Sequence, residues 1–168
     1  MSRSEGLQGD ETIEVFTDGS CHPGSGEGAW AAIVLEAGKK VFLSGKDSGT
    51  THQRMELTAA VEAVKYIQRL TIGYLKIFLY TDSQYLAGLV RRKNNLLLAG
   101  LKTKKKEPLP NADLVVQIFQ FLETCSNLRI VKIPSHQKQN GKLDYNREVD
   151  KYSRKIVRES VSILNAKV

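Results

Sequence analysis

Two stretches, "VFTDGS" at residues 15–20 and "LYTDSQ" at residues 79–84, share one pattern: an apolar run that ends in Thr-Asp and a small residue. The residues before each Thr-Asp pair are mostly apolar and predict buried strands. A carboxylate at the end of a buried strand is costly unless a partner compensates its charge. Asp18 and Asp82 therefore either cap a turn or hold a cation.

The remaining sequence alternates strand and helix patterns in an order that favours a mixed α/β fold. Runs rich in apolar and β-branched residues predict five strands, at residues 11–17, 28–36, 39–44, 74–81 and 128–134. Apolar residues at helical spacing predict four helices, at residues 53–70, 83–92, 112–124 and 145–160. A basic irregular segment at 92–111 and a polar loop at 135–144 connect them. We expect Thr50 or Thr51 to cap the first helix, and Asn111 or a neighbour to cap the third.

Length and composition predict one soluble globular domain. Of the 168 residues, 41% are hydrophobic and 26% are charged, and no apolar run approaches the roughly 20 residues of a membrane span. We expect a lead-in at 1–10 without signal-peptide character, a single domain at 11–160 and a tail at 161–168. Two cysteines without a Cys-x-x-Cys spacing favour a reducing, cytoplasmic setting. The net charge of +7 is explained either by solubility or by attraction to a polyanion, depending on where the charges lie.

Glu56 and Asp150 add two carboxylates to the pair at the strand ends. Glu56 shares a helical stripe with Ala60 and Ile67, so the spacing predicts that it points toward the sheet. Asp150 lies early in the last predicted helix, on the side that carries Ser153. Four carboxylates without an obvious buried cationic partner repel one another unless a metal ion lies between them. All-oxygen ligands favour Mg²⁺ or Mn²⁺ over zinc, and beside a polyanion they suggest two-metal phosphoryl chemistry.

Each carboxylate also has an ordinary structural explanation. The two strand-end aspartates can cap turns, and Glu56 can pair with Arg54 or Lys65. Asp150 can cap the start of a helix, where the helix dipole favours an acidic residue. The residues by themselves leave the metal-binding and the structural interpretation open.

Four motifs in a fixed order carry a more specific signal: "FTDGS", "TTHQRMELTAAVEA", "YTDSQYL" and "SHQ…NREVD". Together they resemble ribonuclease H of type 1, and the resemblance covers roughly residues 12–160. It implies the RNase H-like fold, a five-stranded mixed sheet whose first three strands are antiparallel, flanked by helices. It also implies an endoribonuclease that hydrolyses the RNA strand of RNA–DNA hybrids and leaves 5′-phosphate and 3′-hydroxyl ends.

The resemblance assigns roles to five residues. The metal-binding acids of the family fall on Asp18, Glu56, Asp82 and Asp150, which would hold two Mg²⁺ ions, with Mn²⁺ as a possible substitute. Asp18 would bridge the two ions, so that one activates the attacking water and the other stabilises the departing 3′ oxygen. The histidine of the family's mobile loop falls on His136, which would move a proton or help product release. Without the resemblance, a surface histidine after a proline turn is the favoured explanation of His136.

A basic cluster and several polar residues are candidates for substrate binding. The cations gather in and beside the irregular segment, and the family has a basic protrusion there that grips the DNA strand. They are Arg91, Arg92, Lys93, Lys102, Lys104, Lys105 and Lys106. A solvated charge run is the ordinary alternative for this cluster. The resemblance also places Gly19, Ser20, Thr51, Gln53, Gln84 and Asn146 near the hybrid.

A catalytically silent module that only binds RNA–DNA hybrids is the alternative function, because such a module would keep the basic cluster. The complete set of four acids argues against it. We expect a monomer with no membrane association and no obligatory protein partner. The stretch "SHQKQN" at 135–140 is reminiscent of versions linked to a reverse transcriptase, so such a link is a further expectation.

Overall fold

The computed structural model describes residues 12–70, 76–134 and 141–166, and in the last range the side chains from residue 144 onward. In these ranges the chain forms strands and helices in the predicted order. The strands are β1 Thr12–Cys21, β2 Gly28–Glu36, β3 Lys39–Asp47, β4 Lys76–Thr81 and β5 Leu128–Lys132. The helices are α1 His52–Arg69, α2 Gln84–Leu98, α3 Ala112–Thr124 and α4 Gly141–Asn165.

The five strands form one mixed sheet in the order β3-β2-β1-β4-β5. β2 pairs antiparallel with both β1 and β3, whereas β4 pairs parallel with β1 and with β5. This arrangement confirms the predicted mixed sheet with its first three strands antiparallel. The direct crossover from β3 through α1 to β4 leaves β1 in the centre of the sheet, where both of its faces are covered.

Alternating residues of β1 enter two separate hydrophobic clusters. Ile13 and Val15 pack into the larger cluster, which includes buried residues of α1, α2 and α3. Phe16 faces the other side and packs in a smaller cluster with Val149 of α4. Because helices cover both faces, the central strands are apolar almost throughout. Each fully buried aliphatic side chain contributes roughly 1.5–3 kcal/mol to the free energy of unfolding.

Two of the predicted helix caps have different outcomes. Thr51 caps α1 as expected, since its side chain accepts a hydrogen bond from the backbone N–H of Arg54 at 3.2 Å. Asn111 occupies the N-cap position of α3 but makes no side-chain capping bond. Its backbone is left-handed, with φ of 56°, and its Oδ1 accepts a hydrogen bond from Arg54 instead. The expected cap at Asn111 is therefore wrong in its chemistry, because the side chain serves a contact between helices.

Two helices are longer than predicted. α2 continues to Leu98 instead of ending at residue 92, so Lys93 lies on the same helix as Arg91 and Arg92 and not in an irregular segment. α4 begins at Gly141 and extends into the residues expected as a tail. The extra residues 162–165 of α4 are exposed and give little signal in the sequence. In α2, by contrast, Leu96 lies seven residues after Leu89 and is buried with it in the core. None of the helices in the described ranges is long and apolar enough to cross a membrane.

Candidate active site

Asp18 and Asp82 are brought to one edge of the sheet by the parallel register of β1 and β4. Phe16 pairs with Tyr80 across the two strands, and their rings stack with centroids 5.0 Å apart. Two residues further on, strand alternation places both aspartates on that same face. β1 continues past Asp18, and Ser83 rather than Asp82 caps α2 through the backbone N–H of Leu86. The shared Thr-Asp pattern thus marks equivalent positions on two adjacent parallel strands, and it marks the end of β4 but not of β1.

Gly19 lets α1 approach this edge closely. A Cβ atom at Gly19 would lie 2.2 Å from the backbone nitrogen of Glu56 and 2.3 Å from the carbonyl carbon of Met55. Any side chain here would therefore push α1 away from β1. The glycine that follows Asp18 explains how a residue on α1 reaches the carboxyl ends of the strands.

Glu56 is the residue that uses this approach. Its carboxylate is largely buried, and it accepts a hydrogen bond from Ser83 Oγ at 2.5 Å. On its other oxygen it pairs with Nε2 of His52 at 3.2 Å. The hydrogen bond to Glu56, with smaller contributions from Asp18 and Asp82, raises the pKa of His52 above its ordinary value. Glu56 is therefore held between Ser83 and His52, and His52 in turn is influenced by the charges of Asp18 and Asp82. Glu56 is not among the side chains that line the cleft around Asp18.

Arg54 and Lys65, which the structural interpretation of the acids suggested as ion-pair partners of Glu56, do not bind it. Arg54 instead binds Asp113 through two nitrogens, at 2.8 and 3.0 Å. Lys65 binds Glu62 at 2.8 Å within the same helix. The predicted pairing of Glu56 with Arg54 or Lys65 is wrong, because both cations face away from the sheet.

α4 crosses the same edge and presents polar side chains to both aspartates. Ser153 Oγ donates a hydrogen bond of 2.6 Å to Oδ2 of Asp18. Nδ2 of Asn146 makes a weak contact of 3.4 Å with Oδ2 of Asp82. Oδ1 of Asn146 is buried and has no hydrogen-bond partner among the described residues. The helix thus orients the strand carboxylates and keeps one oxygen acceptor unused.

Asp150 lies between these two residues on α4, in the interior of the helix. It is the tenth residue of α4, so it does not cap the helix start as the structural alternative proposed. Its Oδ1 accepts a hydrogen bond of 2.7 Å from Nε of Arg154, one turn further on. The sequence did not predict this pairing, although the spacing of four residues is typical of helical ion pairs.

Burial and crowding make Asp18 an unusual carboxyl group. Only 7% of the residue is exposed. The pKa of Asp18 is raised to about 7. Desolvation is the main cause, and the negative charges of Asp82 and Asp150 act in the same direction. The hydrogen bond from Ser153 and the field of His52 act in the opposite direction. Asp18 is therefore a site where a positive charge would be strongly favoured at neutral pH.

The side chains around Asp18 line an open cleft of about 530 Å³ at the carboxyl edge of the sheet. Three acids of the predicted set take part, and three cations of α4 face the same space. The lining comprises Asp18, His52, Asp82, Asn146, Arg147, Asp150, Lys151 and Arg154. Sequence reasoning missed the three cations, although Arg147, Lys151 and Arg154 recur every three to four residues and so share one side of a helix with Asp150.

The donor atoms in the cleft are all oxygens apart from His52. Carboxylates together with the partnerless Oδ1 of Asn146 suit a hard cation such as Mg²⁺ or Mn²⁺ better than zinc. As placed, no three acidic, histidine or cysteine side chains of the described ranges converge as a metal site. The carboxylates of Asp18, Glu56 and Asp150 accept hydrogen bonds from protein groups instead. The residue types fit a divalent cation, whereas the present side-chain orientations serve internal contacts.

The remaining candidate substrate residues surround the cleft unevenly. Gly19 is buried against α1, and Ser20 is half-buried near the end of β1. Thr51, Gln53 and Gln84 are exposed at the N-terminal ends of α1 and α2. These two helix starts lie at the same end of the sheet as the aspartates, although α1 and α2 pack on the opposite face. His136 lies outside the described residues, so its predicted role stays a prediction.

The seven cations of the predicted cluster divide between the end of α2 and the loop that follows it; we call them the basic handle. Lys93 is tied to Glu123 of α3 at 2.9 Å and is only 20% exposed in its side chain. The other six are exposed. The loop is ordered by backbone hydrogen bonds, including one from the N–H of Lys106 to the carbonyl of Thr103 at 2.9 Å. The handle therefore presents two exposed cations on α2 and four on an ordered loop, and Lys93 serves to attach α2 to α3.

Fold and cleft together define a class: a mixed α/β protein of RNase H-like architecture with a carboxylate cluster at the carboxyl edge of its sheet. Residues 10–158 match the family model described as RNase H. The chain belongs to the RNase H family, and it is a nuclease of that family.

Curated relatives and solved structures agree with this placement. The chain is 30% identical to the ribonuclease H of Caldicellulosiruptor saccharolyticus, over 88% of this chain and 97% of the relative. It is 40% identical to that of Nitrosococcus oceani, over 62% of this chain and 69% of the relative. Its fold is similar to LC11-RNase H1 in complex with an RNA/DNA hybrid, with a TM-score of 0.65 and 19% identity, over 89% of this chain and 99% of that one. It is also similar to a foamy viral protease-reverse transcriptase in complex with an RNA/DNA hybrid, with a TM-score of 0.68 and 18% identity, over 86% of this chain and 19% of that one.

Proposed function

We propose that this protein hydrolyses the RNA strand of RNA–DNA hybrids in a reaction that depends on two divalent metal ions. One observation carries the proposal: Asp18, Asp82 and Asp150 come from three different parts of the chain and line one cleft. The burial of Asp18 and the negative charges of the other two raise the pKa of Asp18 to about 7. Carboxylates gathered at such a cost to the metal-free fold are expected to serve a cation.

The four acids would hold the metal ions, with Mg²⁺ as the expected cofactor and Mn²⁺ as a substitute. Bound Mg²⁺ supplies a nucleophilic water at neutral pH and stabilises the charge on the departing oxygen. Ser153 keeps the Asp18 carboxylate oriented, and Ser83 does the same for Glu56. Asp150 would exchange its contact with Arg154 for the ion. We propose that the cut leaves a 5′-phosphate and a 3′-hydroxyl.

The cations around the acids would position the nucleic acid. Arg147, Lys151 and Arg154 lie in the cleft, where they can contact phosphates on either side of the cut. The exposed cations of the basic handle would bind phosphates of the DNA strand without reading sequence. The 2′-hydroxyl groups of the RNA strand distinguish it from DNA. His136 would act in proton movement or product release.

The comparisons support an RNA–DNA hybrid as the substrate. Two fold relatives were solved with an RNA/DNA hybrid, and the curated relatives are named ribonuclease H. A cytoplasmic, monomeric form and a link to a reverse transcriptase stay predictions.

A gel assay tests the proposal directly. The substrate is a labelled RNA–DNA hybrid, run beside the same sequence as double-stranded DNA, double-stranded RNA and single-stranded RNA. Each is incubated with Mg²⁺, with Mn²⁺ and with EDTA. We expect cleavage of RNA in the hybrid alone and no cleavage in EDTA. Binding of the hybrid without cleavage under either metal would overturn the proposal and favour a silent binding module.

A further inference from the structure

A pair of exposed aromatic rings lies on the far side of α4 from the catalytic acids. Phe42 is 44% exposed and Tyr152 is 37% exposed, which is unusual for rings in a protein of this size with a good core. Their centroids are 5.8 Å apart and the rings are tilted by 55°. Val41 and Leu43 pack on the α1 side of the sheet, so strand alternation turns Phe42 toward α4. The pair therefore joins the edge strand β3 to α4 and leaves its outer surface open to solvent.

Lysines surround these rings. Nζ of Lys40 lies 4.8 Å from the centroid of the Phe42 ring and is held there by Glu148, at 2.7 Å. An open pocket of about 420 Å³ runs along the pair. Its lining is Phe42, Glu148, Lys151, Tyr152 and Lys155. Aromatic faces flanked by cations are the combination that binds single-stranded nucleic acid, since bases stack on the rings and phosphates contact the lysines.

The aromatic pocket is continuous with the catalytic cleft. Lys151 lines both, because on α4 it lies between the side that carries Asp150 and the side that carries Tyr152. A nucleic-acid strand that leaves the cleft across α4 would therefore meet Lys151 first and the two aromatic rings next. The pocket is thus a neighbour of the cleft and not an isolated apolar patch.

We propose that the Phe42–Tyr152 pocket binds a single-stranded segment of nucleic acid that extends beyond the hybrid held in the cleft. One base would stack on the exposed rings, with its phosphates on Lys151 and Lys155. This inference rests on the proposed function, because it takes the cleft as the hybrid site. It assigns to the enzyme a preference for hybrids with an overhang over blunt hybrids.

Fluorescence anisotropy with labelled hybrids in EDTA measures this preference while the strands stay intact. Five substrates share one hybrid core: a blunt form, and forms with a 5′ or 3′ overhang of RNA or of DNA. We expect one overhang polarity to bind about fivefold or more tightly than the blunt hybrid, the effect of a single stacked base. The variant F42L/Y152L keeps apolar side chains and removes the rings, so it should bind that hybrid and the blunt form alike.

Two further variants and one optical signal sharpen the test. The pair I163A/L164A removes exposed apolar side chains at the other end of α4 and should keep the preference for the overhang. Lys155→Gln should reduce the preference in part. A 2-aminopurine base placed in the overhang should be quenched on binding to the wild-type protein and not on binding to F42L/Y152L.

Three results would overturn the inference. They are equal affinity of the wild-type protein for blunt and overhanging hybrids, an equal loss of affinity for both in F42L/Y152L, or a dimer in sedimentation that this variant dissociates. The last result would identify the surface as a contact between two copies of the chain. If the blunt hybrid is cut but an overhang adds nothing, only this inference fails. If the hybrid is neither bound nor cut, the proposed function fails as well.

Discussion

Gly19 is the residue at which folding and the candidate site constrain each other most directly. Its missing side chain allows α1 to touch β1, and this contact brings Glu56 to the aspartates. Asp18, its neighbour, is buried at a cost in the metal-free protein, since its pKa is raised to about 7. Substitutions at Gly19 and at Asp18 should therefore change the stability of the protein in ways that can be measured separately.

Replacing Gly19 with alanine should destabilise the protein. The new Cβ would meet the backbone of Met55 and Glu56 at 2.2–2.3 Å, so α1 must shift, at about 1–3 kcal/mol or more of unfolding free energy. Urea denaturation followed by circular dichroism measures the change. Gly88→Ala is the matched control: Gly88 lies within α2, its Cβ would approach only Arg92, at 3.8 Å, and alanine should be neutral or stabilising there. Equal stability of the two variants would contradict the close approach.

Asp18→Asn should stabilise the protein in EDTA at pH 8. The folded-state pKa of Asp18 is about 7 against an ordinary value of 3.8, so the stability that protonated Asp18 contributes is present below pH 4 and is lost as the pH rises toward 7. Asparagine does not ionise, and we expect a gain of roughly 2–4 kcal/mol at pH 8 that disappears below pH 4. Thermal unfolding across this pH range measures the gain.

Asp113→Asn is the matched control, with the opposite expected sign. The hydrogen bond from Arg54 lowers the pKa of Asp113, so its charged form stabilises the fold above pH 4. Loss of the Asp113 charge in this variant should slightly lower the unfolding temperature at pH 8. A destabilised Asp18→Asn protein at pH 8 would contradict the unfavourable burial of the Asp18 charge.

At the scale of elements, three of the four described helices contribute to the site. α1 delivers Glu56, and the start of α2 supplies Ser83, which both caps that helix and donates to Glu56. α4 orients the aspartates through Asn146 and Ser153 and adds the cations of the cleft. The far end of α2 continues into the basic handle, whose expected role is electrostatic. Its contribution should therefore depend on salt.

Removing two charges of the basic handle should weaken hybrid binding and flatten its salt dependence. We expect K104Q/K105Q to reduce the slope of log affinity against log salt by about 0.7–0.9 for each phosphate that the variant no longer neutralises. Titrations of a blunt hybrid in EDTA at several salt concentrations measure the slope. The variant spares Lys106, whose positive φ of 62° makes substitution structurally ambiguous.

The matched control is K39Q/K76Q, which loses the same charge at the opposite end of the sheet. Lys39 follows the turn between β2 and β3, and Lys76 begins β4, so both are far from the carboxyl edge. This variant should keep nearly the wild-type slope. Equal slopes for the two variants would show that net charge, and not the handle, determines affinity.

At the scale of the whole molecule, the sequence was sufficient to predict the mixed sheet and to predict that Asp18 and Asp82 lie close together at one end of it. Buried strands, helical stripes and the four ordered motifs predicted a mixed sheet, and the structure confirms it. The two Thr-Asp pairs fall at one edge because β1 and β4 run parallel in a register that pairs Phe16 with Tyr80, two residues before each aspartate. The end of α2 was missed because the polar residues 91–95 interrupt the apolar pattern, although Leu96 continues the stripe of Leu89 and is buried.

The partners of the acids could not be predicted from the sequence. Ser83 reaches Glu56 from the start of α2, a contact between elements distant in the chain, and Gly19 helps it by admitting α1 close to β1. His52 was visible four residues before Glu56 on the same helix, but this spacing does not say which neighbour on the helix binds the carboxylate. Arg154 was visible four residues after Asp150, but a helical spacing does not say which face of α4 meets the sheet. Local pattern therefore located the carboxylates, and tertiary contact determined how they are held.

Cleavage of a labelled RNA–DNA hybrid by wild-type protein and Asp18→Asn in saturating Mg²⁺ tests the central claim most directly, with hybrid affinity measured in parallel. We predict that the variant binds the hybrid with near wild-type affinity and cuts it about a thousandfold or more slowly, which corresponds to several kcal/mol of transition-state stabilisation. Unfolding cannot explain that loss, because the same variant is expected to be the more stable protein without metal. A variant that cuts at a near wild-type rate would contradict the assignment of Asp18 and, with it, the proposed metal-dependent cleft.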